Sequence, residues 1–516
     1  MKRILATLGI AAISCSAMFS QTLFDGLKSS ETDIIGTARY SSMAGAFGAL
    51  GGDASAIKDN PAALGIYRKS ELSVTANMLM QTSNSSWLGA SSSSDLYKIG
   101  ADNFSLILAS PTWRSESGAS GLQSSNFSFT YNKLRNFNRS LEIKGGNSSS
   151  SLTDYMAYFS NGLTGYNLAY VEGEYEPFDQ SSIPWLSILA FDGYMIYETG
   201  SNTKQWEPLL ASDEKVVPSY TSEETGGIHQ YSFGWSGNFS NKFFLGFTAN
   251  LQTINYSQTS YYKEAFSNNG GLSLRNNLTM TGSGVNFSMG AIAAPTDFVR
   301  FGFSFQTPTF YSIKTSNYGT LDYDTEKLGY VQSPVYTLNT QTQTPFQFNV
   351  SGAFIVDKQG LISAEYIFKN YKGMRLLDED GISQTYNLEN GDIKAMLNNS
   401  RTIKIGGEYR LTDNFSLRAG YANVSSIAKE DATKWVRDNT KRTDTEYFLH
   451  NRTDYYTAGF GYREASWYID FAYMRKNNDE SFYAYNSTNM DENRATTPAK
   501  VLTKNNNIVV TLGLRF

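Results

Sequence analysis

Arg300, Glu365, Lys369, Lys404, Glu408, Arg410, Arg418 and Asp470 each stand at an alternate position of a stretch that is otherwise apolar or small. At a spacing of two they share one face of an extended chain, opposite the Phe, Ile and Val side chains. Two chemistries are open to such an inward-facing set. Opposite charges pair, because an unpaired buried charge is costly, or a ligand carboxylate displaces one acidic partner and is held by a cation, with Lys404 and Arg418 as the candidates. A second set is apolar. Leu152, Tyr155, Met156, Phe159 and Leu163 follow helical spacing behind a cap at Thr153 or Asp154, and "IPWLSILAFDGYMIY" contains Trp185 and Leu189. Such segments either pack on each other or form a greasy capture groove, for which Tyr155, Phe159, Trp185 and Leu189 are the candidates.

Catalytic chemistry finds little support. The two histidines, His229 and His450, lie far apart in the chain, and there is no nucleophile elbow or cysteine dyad, so no enzyme is expected. The same scarcity disfavours bis-His haem capture, although Tyr can ligate haem. Asp378, Glu379 and Asp380 before Gly381 have the flavour of a calcium loop but lack its further ligands and closing Glu. The sequence calls for no cofactor and no metal. A net charge of -5 leaves no basic excess for a phosphate backbone, which sets nucleic acid aside as a partner.

The elements that position these residues are strands. In "VRFGFSFQ", Val299, Phe301, Phe303 and Phe305 share one face, and Arg300, Gly302, Ser304 and Gln306 the other. "VNFSMGAI", "PFQFNVSGAFIV", "LISAEYIFK", "RTIKIGGEYRL", "FSLRAGY", "YYTAGFGY" and "WYIDFAYM" repeat the pattern, joined in pairs by short turns. Aromatics make up 14% of the chain, and Gly outnumbers Pro 43 to 11, a composition of many strands and turns. Upstream, "ELSVTANMLMQ", "NFSLILAS", "SNFSFTYNKL", "HQYSFGWSGNF" and "FFLGFTANLQTI" add candidates, and "NNIVVTLGLRF" ends the chain on Phe516. The total is about fourteen, an even number as in single-chain outer-membrane barrels. Alternation of lipid-facing and lumen-facing residues keeps the mean hydropathy at -0.36. Polar stretches of roughly 25–40 residues between hairpins read as long extracellular loops opposite short periplasmic turns.

The chain opens with Lys2 and Arg3, an apolar run over residues 4–13 and then small residues, which reads as a signal peptide over 1–20 with cleavage after Ala17 or Ser20. Either cut removes Cys15, the only cysteine. Residues 21–69, rich in small and turn-forming types, read as a separate segment before a barrel over 70–516, whose largest insert is 135–228. In "GGDASAIKDNPAALG", Gly and Ala permit close backbone approach and Asn60–Pro61 fixes a turn.

Several stretches resemble the FadL/TodX family of outer-membrane transporters of hydrophobic compounds. They are "ARYSSMAGAFGALGGDASAIKDNPAALG", "GSGVNFSMGAIAAPTDFVRFGFSFQTP", "IKIGGEYRLTDNFSLRAGYA" and "YYTAGFGYREASWYIDFAYM". The resemblance implies an all-β, fourteen-stranded transmembrane barrel whose N-terminal hatch plugs the lumen, with Asp53, Ser55, Asn60, Pro61 and Ala62 in the hatch motif. It implies passive uptake of small hydrophobic molecules, long-chain fatty acids first, with haem or aromatic compounds as alternatives within the family. A hydrophilic porin and an adhesin acting through its loops are the competing classes. Further expected partners are outer-membrane lipid and lipopolysaccharide, and the barrel-assembly machinery through Phe516. The insert 135–228 matches no motif of the family.

Overall fold

In β1 (Glu71–Trp87), Ser73, Thr75, Asn77 and Gln81 are buried on one face while Leu72, Val74 and Met78 are exposed on the other. Polar residues point inward and apolar residues outward, the reverse of a soluble domain. The computed structural model describes residues 21–516 except 118–119, 201–202, 212, 269, 325–327, 358, 438–439 and 491–493. The expected signal peptide lies outside the described residues.

Thirteen further strands follow: β2 (Ala90–Leu108), β3 (Leu122–Asn136, continued by Arg139–Lys144), β4 (Val216–Phe239), β5 (Phe243–Phe266) and β6 (Gly271–Ala293). β7 is built from Val299–Gln306 and Phe310–Asp324, and β8 from Leu328–Gln332, Tyr336–Gln343 and Gln347–Val356. Then come β9 (Gly360–Lys369 and Arg375–Leu377), β10 (Ser400–Arg410), β11 (Phe415–Ser425), β12 (Tyr447–Arg463), β13 (Trp467–Tyr483) and β14 (Ala499–Arg515). Neighbours in sequence pair antiparallel, and β14 returns to β1 from Glu71↔Arg515 to Ser86↔Lys500, which closes a fourteen-stranded barrel. Outward Phe247, Met289, Phe303, Ile405, Leu417 and Leu512 form part of an exposed apolar belt, as lipid-facing side chains must. Among the described residues no helix is long and apolar enough to cross a membrane.

Turn chemistry accounts for the tight hairpins. Leu88 and Gly89 both have positive φ, as do Ser240 and Asn241, the geometry that suits right-twisted strands. The two-residue turn after Trp87 also corrects one expectation. Much of the polar sequence between hairpins is strand rather than loop: β4, β5 and β6 run 24, 24 and 23 residues, where about 9–11 cross a bilayer. They therefore rise beyond the apolar belt, with Ser, Thr and Asn on both faces. The 135–228 insert shrinks for the same reason, since its two ends belong to β3 and β4 and only 145–215 lies outside barrel strands.

The chain ahead of β1 occupies the lumen. Helix α1 (Leu23–Ser30) packs Leu23 and Leu27 against Met374, Leu376, Tyr386 and Ile427 of the outer loops. Residues 31–36 descend to α2 (Ala38–Ser42), and short turns at Ser55–Lys58 and Pro61–Ile66 complete the plug. Over the mouth, 145–215 folds into a cap. Its helix α3 (Leu152–Ser160) is capped by Ser151, not by Thr153 or Asp154. The Ser151 hydroxyl accepts from Thr153 N, the Asp154 carboxylate accepts from Ser151 N, and Glu264 of β5 accepts from Leu152 N at 2.7 Å. Helix α4 (Trp185–Asp192) is apolar all round and is correspondingly buried from Trp185 to Ala190. Both pack in one core with Tyr220, Tyr262, Leu274, Leu321, Phe482 and Val501, residues drawn from β4 to β7 and from β13 and β14.

Candidate functional site

The hatch is seated on glycines. A Cβ at Gly246 would overlap the backbone of Pro61 and Ala62, one at Gly302 the carbonyl of Gly48, and those at Gly406 and Gly420 the backbone of Met43. At Gly290 the clash would be with the Asn60 amide. In each case a lumen-facing glycine lets backbone meet wall. Asn60 donates to Gly48 O at 2.6 Å and to Ala291 O of β6 at 3.3 Å, and its Oδ1 accepts from Ala62 N at 3.0 Å. Pro61 starts the following turn, where a missing N–H costs nothing. Asp53 accepts from the Thr37 hydroxyl and from Ser55 N, while Ser55 Oγ accepts from Thr37 N, tying the first hatch turn to α2. Asp53, Ser55, Asn60, Pro61 and Ala62 thus come together in one plug.

The inward charges fasten that plug. Lys404 donates to Asp59 at 3.1 Å, Glu365 at 3.0 Å and the Gly45 carbonyl at 3.2 Å, and Glu365 also accepts from Gly48 N at 2.8 Å. Arg418 bridges Glu408 and Asp470, each at 2.6 Å, and Arg39 of the hatch joins the same Glu408 at 2.9 Å. Arg300 donates to Leu50 O and Lys369 to the Thr32 hydroxyl. Arg410 is exposed at the end of β10. Of the two chemistries open to this set, pairing describes the observed state, and both cation candidates for a carboxylate are engaged with carboxylates of the protein itself.

Above the hatch the wall is incomplete. β2 and β3 pair only from Leu108↔Phe127 to Asn103↔Asn132, because register shifts at Thr75/Ala76 of the β1–β2 ladder and at Lys133/Arg135 of β3 redirect both strands. Higher up, hydroxyls of Ser85, Ser92 and Ser94 bond the carbonyls of Glu142 and Ser140, so side chains rather than a ladder bring the strands together again. The interval is sealed from the lumen side. Asp33 N donates to Leu134 O at 2.7 Å, Arg135 pairs with Glu31 and Asp33 at 2.9 and 3.0 Å, and Lys476 reaches Asp33 at 2.6 Å. From this point an apolar band crosses the otherwise polar lumen wall: Leu134 and Phe137, then Ile228, Ile254, Tyr256, Leu278, Met280, Tyr311 and Ile313, from β3 to β7. It borders a lumen cavity that Leu134, Ile228 and Tyr311 line together with Gln230, Gln252 and Lys404.

The cap candidates lie elsewhere. Tyr155 and Trp185 are 4% and 3% exposed and Leu189 is fully buried. Tyr155 stacks on Phe159 and on Tyr485, and Trp185 meets Phe178 and Tyr336 edge-on. They form a closed core. On α4, burial followed by the nearby Glu176 raises the Asp192 carboxyl to about 6. His229 bonds the Tyr131 hydroxyl at 2.8 Å and His450 lies 3.3 Å from Glu480, on different strands. Asp378 accepts from the backbone of Asp380 and Ile382 and from the Thr385 hydroxyl, and these bonds hold its carboxyl below the usual range.

Sequence reasoning missed the glycine seats, the apolar band and the wall gap. The glycines had a signal: Leu245–Gly246–Phe247, Met289–Gly290–Ala291 and Phe301–Gly302–Phe303 each place Gly at lumen parity between outward apolar neighbours. Leu134 and Phe137 also break the alternation of "NKLRNFN".

No protein-family model matches the sequence, and no curated protein matches it either. Solved structures do. A Pseudomonas aeruginosa FadL homologue aligns over 94% of this chain and 100% of its own, at 13% identity and a TM-score of 0.50. The P. putida toluene transporter TodX aligns over 94% and 99%, at 13% identity and a TM-score of 0.52. The fold is the FadL/TodX barrel. A TodX deltaS2S3 mutant, described as a monoaromatic hydrocarbon channel, agrees at a TM-score of 0.52, 12% identity and coverage of 93% and 99%. Within the FadL/TodX fold, the closed strand order, the apolar belt and the filled lumen make this chain a plugged transmembrane barrel of the outer-membrane type.

Proposed function

We propose that the protein sits in the outer membrane and carries small hydrophobic molecules inward passively, long-chain fatty acids first among them. The observation that carries this reading is the apolar band inside the lumen, which runs from the wall gap at Leu134 and Phe137 to Ile313. Polar lipopolysaccharide and periplasmic water both oppose the passage of a greasy molecule, and an apolar surface that starts at an opening in the wall offers it a path. The band crosses five strands, so its four steps of roughly 4.8 Å give about 19 Å, the length scale of a long acyl chain. In this reading residues 21–69 act as the gate. Asp33 and Glu31 leave β3 when it opens, and the hatch motif from Asp53 to Ala62 stays anchored on its glycines. Lys404 or Arg418 would take a ligand carboxylate only by surrendering Glu365 or Asp470. Tyr155, Phe159, Trp185 and Leu189 serve the cap, which must shift before they touch ligand. Residues 1–20 would direct export, Phe516 would present the C-terminal assembly signal, and the belt would meet lipid and lipopolysaccharide.

Mass spectrometry of small molecules co-purifying with detergent-extracted protein tests the substrate. Fatty acids are expected. Aromatic hydrocarbons would reassign the cargo, and haem, visible by its absorbance, would make the protein a haem receptor. Large, unblocked currents in planar bilayers would replace the transport reading with a hydrophilic porin.

A further inference from the structure

In the 426–446 loop between β11 and β12 the described residues turn inward beneath the cap, and three of its long cations are buried. Lys434, Lys441 and Arg442 are 3%, 0% and 3% exposed. Connecting segments normally lie on the surface, because buried polar chain must find partners. Here adjacent residues find them in different elements. Lys441 donates to the carbonyls of Gln180 and Phe178 at 2.5 and 3.4 Å and lies over the Trp185 ring at 5.4 Å, while Trp185 N donates to Thr440 O. All of those partners belong to the cap. Arg442 reaches both carboxylate oxygens of Asp25 on α1 at 3.4 Å, and Asp444 holds its guanidinium at 2.5 and 2.6 Å. Six residues beyond Asp25 the chain reaches Glu31, then Asp33, the two residues that seal the wall gap against Arg135.

We infer that Lys441 and Arg442 are positioning residues of the gate, a relay through which the seating of the cap holds α1 and, through α1, the plug at β3. This rests on the gating role proposed above for residues 21–69. Lifting the cap withdraws the partners of the Lys441 ammonium, leaves the loop held to the wall by Asn317 on the Lys441 carbonyl and Asn276 on the Thr443 hydroxyl, and loosens the grip of Arg442 on Asp25. Residues 31–35 then leave Leu134. Neither cation need touch the transported molecule, and Arg442 parts from Asp25 by displacement rather than by titration while keeping Asp444.

The test uses full-length protein in intact cells, in a Cys15→Ser background, with Ser29→Cys as a probe. Ser29 lies on α1 and is 2% exposed, so a membrane-impermeant maleimide should label it slowly. Arg442→Gln and Asp25→Asn cut the lower link from either side, and each should raise the labelling rate at least tenfold while the barrel stays heat-modifiable on gels. Lys441→Met, which touches no residue of α1, should do the same, and Lys441→Arg should keep the slow rate. If Arg442→Gln and Asp25→Asn accelerate labelling while Lys441→Met does not, the relay is refuted and only a local tether remains. If none accelerates it, both links are refuted. Asp25→Asn alters neither wall nor loop and keeps a carbonyl oxygen for Thr22 N, the cap bond of α1, so it decides the lower link should Arg442→Gln fail to assemble, with Thr22→Val as the control for loss of the cap alone. Labelling needs no substrate, so a failed relay is distinguishable from a failed transport assignment, which the co-purifying molecules decide.

Discussion

Replacing Gly246 by Ala adds one methyl group to the lumen face of its strand. On β5 that methyl meets the Pro61 carbonyl group and the Ala62 amide nitrogen, all backbone, so no side chain can swing aside. Overpacking of this kind costs about 1–3 kcal/mol, and the strain falls on the hatch because the ladders on both sides of β5 hold the wall. If the hatch relieves it by leaving its seat, the bond from Asn60 to Ala291 O of the wall is at stake, worth about 1 kcal/mol net, while its bonds to Gly48 and Ala62 move with the hatch. A shift of about 1–3 kcal/mol moves the seated-to-displaced ratio roughly 5- to 150-fold. Gly352→Ala on β8 is the matched control, since a Cβ there meets nothing within 4 Å. Leak of a small hydrophilic solute into proteoliposomes should rise for Gly246→Ala and stay at the wild-type rate for Gly352→Ala, with both barrels heat-modifiable. Equal leak from all three proteins would refute the claim that wall glycines seat the hatch.

Lys404→Met removes the shared partner of Glu365 and Asp59 and should cost about 3–5 kcal/mol, as breaking a buried pair does; a melting temperature within a degree of wild type would contradict it. Leu417→Arg, on the lipid face, should cost about 2–4 kcal/mol, while Asn423→Arg, farther up the same strand, should cost about 0–1 kcal/mol. Urea titration of barrels folded into vesicles measures the difference. Asp192 ionises less readily in the cap than in the unfolded chain, so its burden is absent below about pH 3.8, grows as pH rises to about 6 and is constant above that. Asp192→Asn should therefore stabilise the cap against proteolysis at pH 7.5, and its advantage should vanish as the medium is acidified through that window.

The barrel was legible because alternation is written locally. Val299 to Gln306 declare two faces within one strand, and repeating that declaration gives strand number, lipid belt and lumen without knowledge of any partner. Asn60–Pro61–Ala62 likewise announces a turn by residue type alone. The same local signal failed where strands outgrow the membrane. Beyond the belt neither face must be apolar, so the upper halves of β4, β5 and β6 read as loop.

What each inward residue does was decided only by closure. Lys404 meets Asp59 across 345 positions and Arg442 meets Asp25 across 417; no spacing rule reaches that far. Parity placed Lys404 and Arg418 in the lumen but could not say that carboxylates were already waiting for them. Helical spacing grouped Tyr155 with Phe159, yet only the rim of the barrel turned that face into a closed core. The apolar band exists because five strands align single residues at one height, and the gap beside it because two ladders shift register at Thr75 and Lys133. Side-chain direction is a property of one strand and can be read from it, whereas pairing, height and closure are relations between strands, fixed when the last strand meets the first.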